Sequence, residues 1–204
     1  MNDWARATLA LYLTWGVVAF GVRAALHRRR TGDAGFRGIS GRPGEAAWWA
    51  GILFVAALLA GAAAPMADLA GLPTVPGLDH GPARWAGLAL TLVGMAATLA
   101  AQTTMGASWR VGVDAGERTE LVTGGLFSLV RNPVFTTMTL TATGLAAMVP
   151  NLVAVLALAT LVAAVQLQVR VVEEPYLARV HGHAYREYTT LTGRFLPGIG
   201  RARS

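Results

Sequence analysis

Two stretches carry the residues whose types and spacing could do chemistry. The first is Leu121-Val-Thr-Gly-Gly-Leu-Phe-Ser-Leu-Val-Arg-Asn-Pro-Val-Phe135: a glycine-bearing loop, one arginine, and an Asn-Pro pair opening an apolar run. Asn132 suits the N-cap of a helix and Pro133 its first residue, since proline lacks the N–H that would go unpaired there. Such a helix presents free backbone N–H groups and a partial positive charge, with Arg131 beside them, and that is an anion site. The same residues would also serve as a membrane helix start with a snorkelling arginine. The second stretch lies roughly 40 residues on: Arg170-Val-Val-Glu-Glu-Pro-Tyr-Leu-Ala-Arg-Val-His-Gly-His-Ala-Tyr-Arg-Glu-Tyr188, then Arg194-Phe-Leu-Pro197. Glu173 and Glu174 precede Pro175, so a new helix is expected there with both acids at its positive end. Adjacent carboxylates beside a bilayer are costly unless paired. Arg170, three residues before Glu173, or a cationic ligand would satisfy them.

The paired blocks, LVTGGLF…RNPVF and EEPYL…HGHAYREY…RFLP with an apolar hairpin between, resemble the isoprenylcysteine carboxyl methyltransferase family. Those are integral-membrane enzymes that use S-adenosylmethionine and are related to membrane phospholipid N-methyltransferases. The resemblance covers residues 105–197. It implies that Thr119, Glu120, Leu121, Val122, Phe127, Asn132, Pro133, Val134 and Phe135 contact the cofactor, and that Glu173 also holds it. In that family an arginine just before the acid pair binds the substrate carboxylate, and Arg170 is the nearest candidate. The chain departs from the pattern at three positions: Asn132 stands where histidine is usual, and Phe127 and Phe135 where tyrosine is usual.

Methyl transfer from a sulfonium is an in-line displacement. Bringing methyl carbon and nucleophile to roughly 3–3.5 Å in alignment can supply ~7–11 kcal/mol of the barrier. The cofactor's amino group wants an acid, and its carboxylate wants an arginine or helix-end N–H groups. A carboxylate acceptor is already ionised and needs only a cation clamp, for which Arg170 and Arg131 are the catalytic candidates. An amine acceptor needs a base, and Glu174 or Asp114 would serve. The expected acceptor is lipophilic, either a small molecule or a lipid-modified substrate, and a carboxylate in preference to an amine. Two other readings stand beside this one: an NADPH-dependent membrane reductase of the steroid 5α-reductase type, and a non-enzymatic membrane scaffold. The Glu173-Glu174 pair argues against the reductase, whose 2′-phosphate would sooner meet clustered arginines.

The elements that must position these residues are membrane helices. The 204 residues are 54% hydrophobic and 14% charged, with mean hydropathy +0.47, against roughly 25% charged for a soluble domain. There is no cysteine, which excludes disulfides and a thiol nucleophile, and all 17 basic residues are arginine. His27, His80, His181 and His183 are too scattered to suggest a metal set. A net charge of +6 reads as loops drawn to anionic membrane lipid rather than to nucleic acid.

Residues 4–26 form a first span, about 20 apolar residues being enough, and the run is long for a signal-peptide core. Arg23, His27, Arg28, Arg29, Arg30, Arg37 and Arg42 follow, which puts this loop in the cytoplasm and the N-terminus outside. Residues 31–44 are expected to be mobile. Residues 46–64 form a second span and 65–82 an outside loop. Residues 83–104 form a third, with Gly87, Thr91, Gly94, Thr98 and Ala101 spaced for close packing in lipid. The polar interval 105–130 returns to the cytoplasm and holds Gly106-Ala-Ser-Trp109, Asp114, Glu117, Arg118 and Glu120. Residues 133–149 and 152–169 complete an antiparallel hairpin, in which Thr136, Thr137, Thr139, Thr141 and Thr143 bond back to their own helix. Beyond Arg170 an amphipathic helix would offer Tyr176, Val180, Tyr185 and Tyr188 to the membrane surface. The expected fold is all-α and polytopic, with about five transmembrane helices, the C-terminus cytoplasmic, and the bacterial cytoplasmic membrane as its location. Residues 1–104 would be a helical N-terminal part, 105–197 a methyltransferase-like part and 198–204 a tail.

Overall fold

A computed structural model describes residues 2–112 and 120–202. Its helices are α1 (Asn2–Gly16), α2 (Arg23–Thr31), α3 (Ala46–Leu69), α4 (Gly81–Thr104), α5 (Pro133–Met148), α6 (Leu152–Leu167) and α7 (Glu174–Leu191). Two wide π-type turns, Val17–Val22 and Gln168–Glu173, join α1 to α2 and α6 to α7. Four helical rods are long and apolar enough to cross a bilayer: Asp3–Thr31, Ala46–Leu69, Gly81–Thr104 and Leu152–Leu191. All five apolar runs expected from the sequence are helical. The fourth of them, α5, has 16 residues, about 24 Å at helical rise and short of the ~30 Å hydrocarbon layer. The chain is a polytopic, all-helical membrane protein.

In lipid, helix contact is set by how closely backbones approach rather than by burial of large apolar groups. Accordingly Leu13, Leu59, Val93 and Leu156 point outward, while small residues make the seams. On α4 the buried residues include Gly87, Thr91, Gly94, Thr98 and Ala101, facing α5. A Cβ at Gly94 would lie 2.5 Å from Thr141 Oγ1, and one at Gly87 would lie 2.7 Å from the Gly144 carbonyl. Ala57 of α3 packs with Leu161 and Val165 of α6. The threonines behave as expected: Thr137, Thr139 and Thr141 donate to Pro133, Phe135 and Thr137 carbonyls at 2.8, 2.8 and 2.9 Å. Thr98 also bridges to Thr137 at 3.0 Å.

Four expectations are corrected. Helix α3 does not stop before Pro65 but runs through it to Leu69; the Ala64 carbonyl there accepts the buried Asn151 amide at 2.9 Å. Helix α7 does start at the acid pair, at Glu174, but it is not a separate rod: the chain passes into it from α6 through the π-type turn without leaving helical conformation. That wider turn accommodates Pro175, whose ring would otherwise clash with a carbonyl four residues back. Third, within residues 31–44 one turn is tied to the strap after α4, by hydrogen bonds from Val111 N to the Gly35 carbonyl (2.7 Å) and from Arg37 N to the Val111 carbonyl (2.9 Å), while most of 38–44 stays exposed. Finally, Tyr176, Tyr185 and Tyr188 turn inward and are buried. The His181-Gly-His183 segment does break α7, with Gly182 at φ 52°, a conformation that disfavours any side chain.

The α4–α5 seam should tolerate no added volume. Gly94→Ala is expected to lower stability by about 1–3 kcal/mol, whereas Leu92→Ala on the exposed side should leave it nearly unchanged. Unfolding midpoints of both variants in detergent micelles check this.

Candidate functional site

One end of the bundle gathers the C-terminus of α4, the N-terminus of α5 and the α6–α7 junction. Between them lies a cavity of about 100 Å³, open to the surface. Three segments line it. Met105, Ser108, Arg110 and Gly112 come from the strap after α4. Glu120, Leu121, Val122, Phe127, Arg131 and Asn132 come from the approach to α5. Glu173, Tyr176, Leu177 and Tyr188 come from the last rod. Residues far apart in sequence therefore share one space: Asn132 and Glu173 stand on it together.

Of the residues singled out from the sequence, Glu120, Leu121, Val122, Phe127, Arg131, Asn132 and Glu173 line this cavity. Pro133, Val134 and Phe135 do not; Pro133 is fully buried, and Val134 and Phe135 pack against Trp15, Ala19 and Met138. Thr119 lies outside the described residues, as do Asp114, Glu117 and Arg118. Arg170 is exposed and donates to the Gln166 side chain at 2.9 Å. It neither pairs with Glu173 nor reaches the cavity lining. The extra residue held in the π-type turn changes the helical phase, so a spacing of three no longer places two side chains on one face.

Asn132 is not the side-chain cap it resembled. Its amide donates to the Arg194 carbonyl at 3.1 Å and its backbone N–H donates to the same oxygen at 3.2 Å. No cap bond from its side chain forms. The side chain that could have capped α5 instead ties its start to the C-terminal segment.

That segment is locked by one carboxylate. Glu174 accepts from Arg131 Nη2 at 2.8 Å, and from Arg194 Nε and Nη2, each at 2.8 Å, as a two-pronged pair. Arg131 also donates to the carbonyls of Thr189, Thr192 and Gly200. With Val130 bridged to Gly193, the stretch after α7 is laid against the entry to α5. Charge-assisted bonds of this kind are the stronger class. The Glu174 carboxylate holds the Arg194 guanidinium above its usual range. Both charges of Arg131 and Glu174 are thus engaged with each other, leaving the Arg131 Nε as a buried donor without a partner.

Glu173, next in the chain, faces the other way, into the cavity. Its side chain takes a hydrogen bond from Gln168 and feels the charge of Arg110. Arg110 in turn lies 4.9 Å over the Tyr176 ring, a favourable cation–π placement. Tyr188 closes the wall, its hydroxyl donating to the Phe127 carbonyl. Arg110, Tyr176 and Tyr188 are among the wall residues that sequence reading did not assign to the site. Arg110 directly follows the Gly106-Ala-Ser-Trp109 run of the polar interval, and a lone arginine there was the signal.

The cavity lining therefore offers carboxylates (Glu120, Glu173), cations (Arg110, Arg131) and aromatic faces (Phe127, Tyr176, Tyr188). The family model described as phospholipid methyltransferase matches residues 82–184, about half of the chain. The match begins one helix earlier than the resemblance, taking in α4, and ends just past the Gly182 kink. A comparison with curated proteins finds no match.

Removing the shared carboxylate would strand two guanidinium groups. Glu174→Ala is expected to cost about 3–5 kcal/mol, as for a broken buried pair, and to release the segment after α7. Limited proteolysis should then cut beyond residue 192 in the variant and not in the parent protein.

Proposed function

The chain belongs to the phospholipid methyltransferase family of membrane methyltransferases, and from that premise we propose that its cavity binds S-adenosylmethionine and methylates a lipophilic acceptor. The observation that carries this reading is the shared cavity itself, which unites Glu173 with the 120–122 and 127–132 segments across the fold.

The residues present fit the cofactor's groups. Glu173 and Glu120 suit its amino group. Arg110 suits its carboxylate, and Phe127, Tyr176 and Tyr188 suit its adenine and sulfonium. When bound, the cofactor supplies an electrophilic methyl group. The protein's part is to hold donor and acceptor in line and keep water out. Glu174 is too firmly held by Arg131 and Arg194 to act as a base, so its role is to fix the walls.

For the acceptor, a carboxylate is the first reading, because it is already ionised and no base is required. The family's description, phospholipid methyltransferase, supports a second, a phospholipid head group; if the accepting group is an amine, a base must take its proton. The catalytic unit is proposed to run from α4 through the segment after α7. The cavity end is proposed to face the cytoplasm. Most described arginines cluster at that end, whereas Arg6 and Arg84 lie at the other, and positive charge is retained on the cytoplasmic side.

Glu173→Gln is expected to weaken S-adenosylmethionine binding at least about tenfold, the loss of one charge-assisted bond, while the unfolding midpoint stays near that of the parent. Calorimetric titration of the purified protein with S-adenosylmethionine, and with NADPH as control, measures it. Tight NADPH binding without S-adenosylmethionine binding would overturn the proposal. Transfer of a labelled methyl group to a prenyl-cysteine analogue or to phosphatidylethanolamine vesicles then decides between the two acceptors.

A further inference from the structure

We propose that Arg23 is a positioning residue for the cofactor cavity: with His27 and the turn at residues 33–37 it fixes Trp109 and so sets Arg110 at the cavity wall. This rests on the reading of the cavity as a cofactor site. Arg23 lies outside the family-matched residues 82–184, on the first rod of the bundle.

Its guanidinium is buried and donates to the carbonyls of Gln102 and Gly106 at 3.1 and 3.0 Å. The Gln102 carbonyl belongs to the last turn of α4, where no intrahelical partner exists. Arg23 therefore caps α4 from another helix and holds the turn after it. The same guanidinium lies 5.0 Å over the Trp109 ring. Trp109, 2% exposed, is met edge-on by His27 at 5.4 Å and Phe36 at 6.3 Å. Gly35 comes so close that a Cβ there would sit 2.7 Å from the indole. Val111 is bonded on both sides to this turn, through Gly35 and Arg37.

Residues 109 and 111 are thus both held by the N-terminal rod and its loop. Trp109 is extended, and in extended chain successive side chains point to opposite sides. Arg110 between them is turned the other way, over Tyr176 and onto the cavity. The N-terminal arginines are more than markers of membrane orientation. At least one of them shapes the site from a helix that the family pattern does not reach.

The chain contains no cysteine, so Ala107→Cys and Ala178→Cys, both at exposed positions, can carry a pair of spin labels across the cavity mouth. The distance distribution between labels, the S-adenosylmethionine affinity and the unfolding midpoint are measured for Arg23→Gln, Arg23→Lys, Gly35→Ala and Arg84→Gln. Arg23→Gln and Gly35→Ala should broaden or shift the distribution. Both should also weaken cofactor affinity at least about tenfold, since a displacement near 1 Å can cost about a hundredfold in a positioned site. Arg23→Lys should recover part of each. Arg84→Gln, which breaks an ion pair with the exposed Asp79 (2.7 Å) at the opposite end, should lower the midpoint alone. Parental distances and affinity in both Arg23→Gln and Gly35→Ala, with only the midpoint lowered, would overturn the proposal. If the parent protein binds no S-adenosylmethionine, the cofactor reading falls, and the label distances still decide whether Arg23 positions the strap.

Discussion

A single carboxylate shared by two arginines holds the working end of this protein together. Glu174 sits where the last rod leaves the bilayer-sized run, and it draws in Arg131 from the entry to α5 and Arg194 from the chain's final turn. Each of those arginines brings backbone with it: Arg131 takes three carbonyls, and the Arg194 carbonyl is taken by Asn132. Buried charges persist only when fully paired and hydrogen-bonded, so the three side chains fix one another's positions and with them the walls of the cavity.

The adjacent Glu173 is freed for another task by this arrangement. One acid is consumed in holding the fold, and its neighbour, rotated about a helical step, looks into open space. Pairs of like residues placed in unlike surroundings commonly divide roles in this way. Here the division is made by the wide turn at Gln168–Glu173. Insertion of one residue rotates all that follows by about 100° on a helix of 3.6 residues per turn. It aims Tyr176 and Tyr188 inward and leaves Arg170 outside.

The rest of the bundle is a platform for that end. Small residues let α4 and α5 approach closely, and threonine hydroxyls return to their own helices, so the interior of the membrane part is silent chemically. The charged side chains that line the cavity lie at the helix ends and in the segments joining them. The first rod contributes there too, through Arg23 and the indole it covers.

The sequence by itself determined the spans, the packing stripe on α4 with its Gly87 and Gly94, the self-bonded threonines of α5, and the pairing of the 121–135 and 173–188 blocks. The first three are local patterns, in which residue type and helical period suffice; the pairing of the two blocks is what the family resemblance implied. Only the tertiary structure decided what each polar side chain does. Asn132 looks like a cap in sequence, yet its amide serves the C-terminal segment; Arg170 looks like the clamp, yet Arg110 stands on the wall. Hydrogen-bond partners some 60 residues away and the phase shift of a π-type turn leave no periodic trace in the sequence. Side-chain direction therefore had to come from the fold.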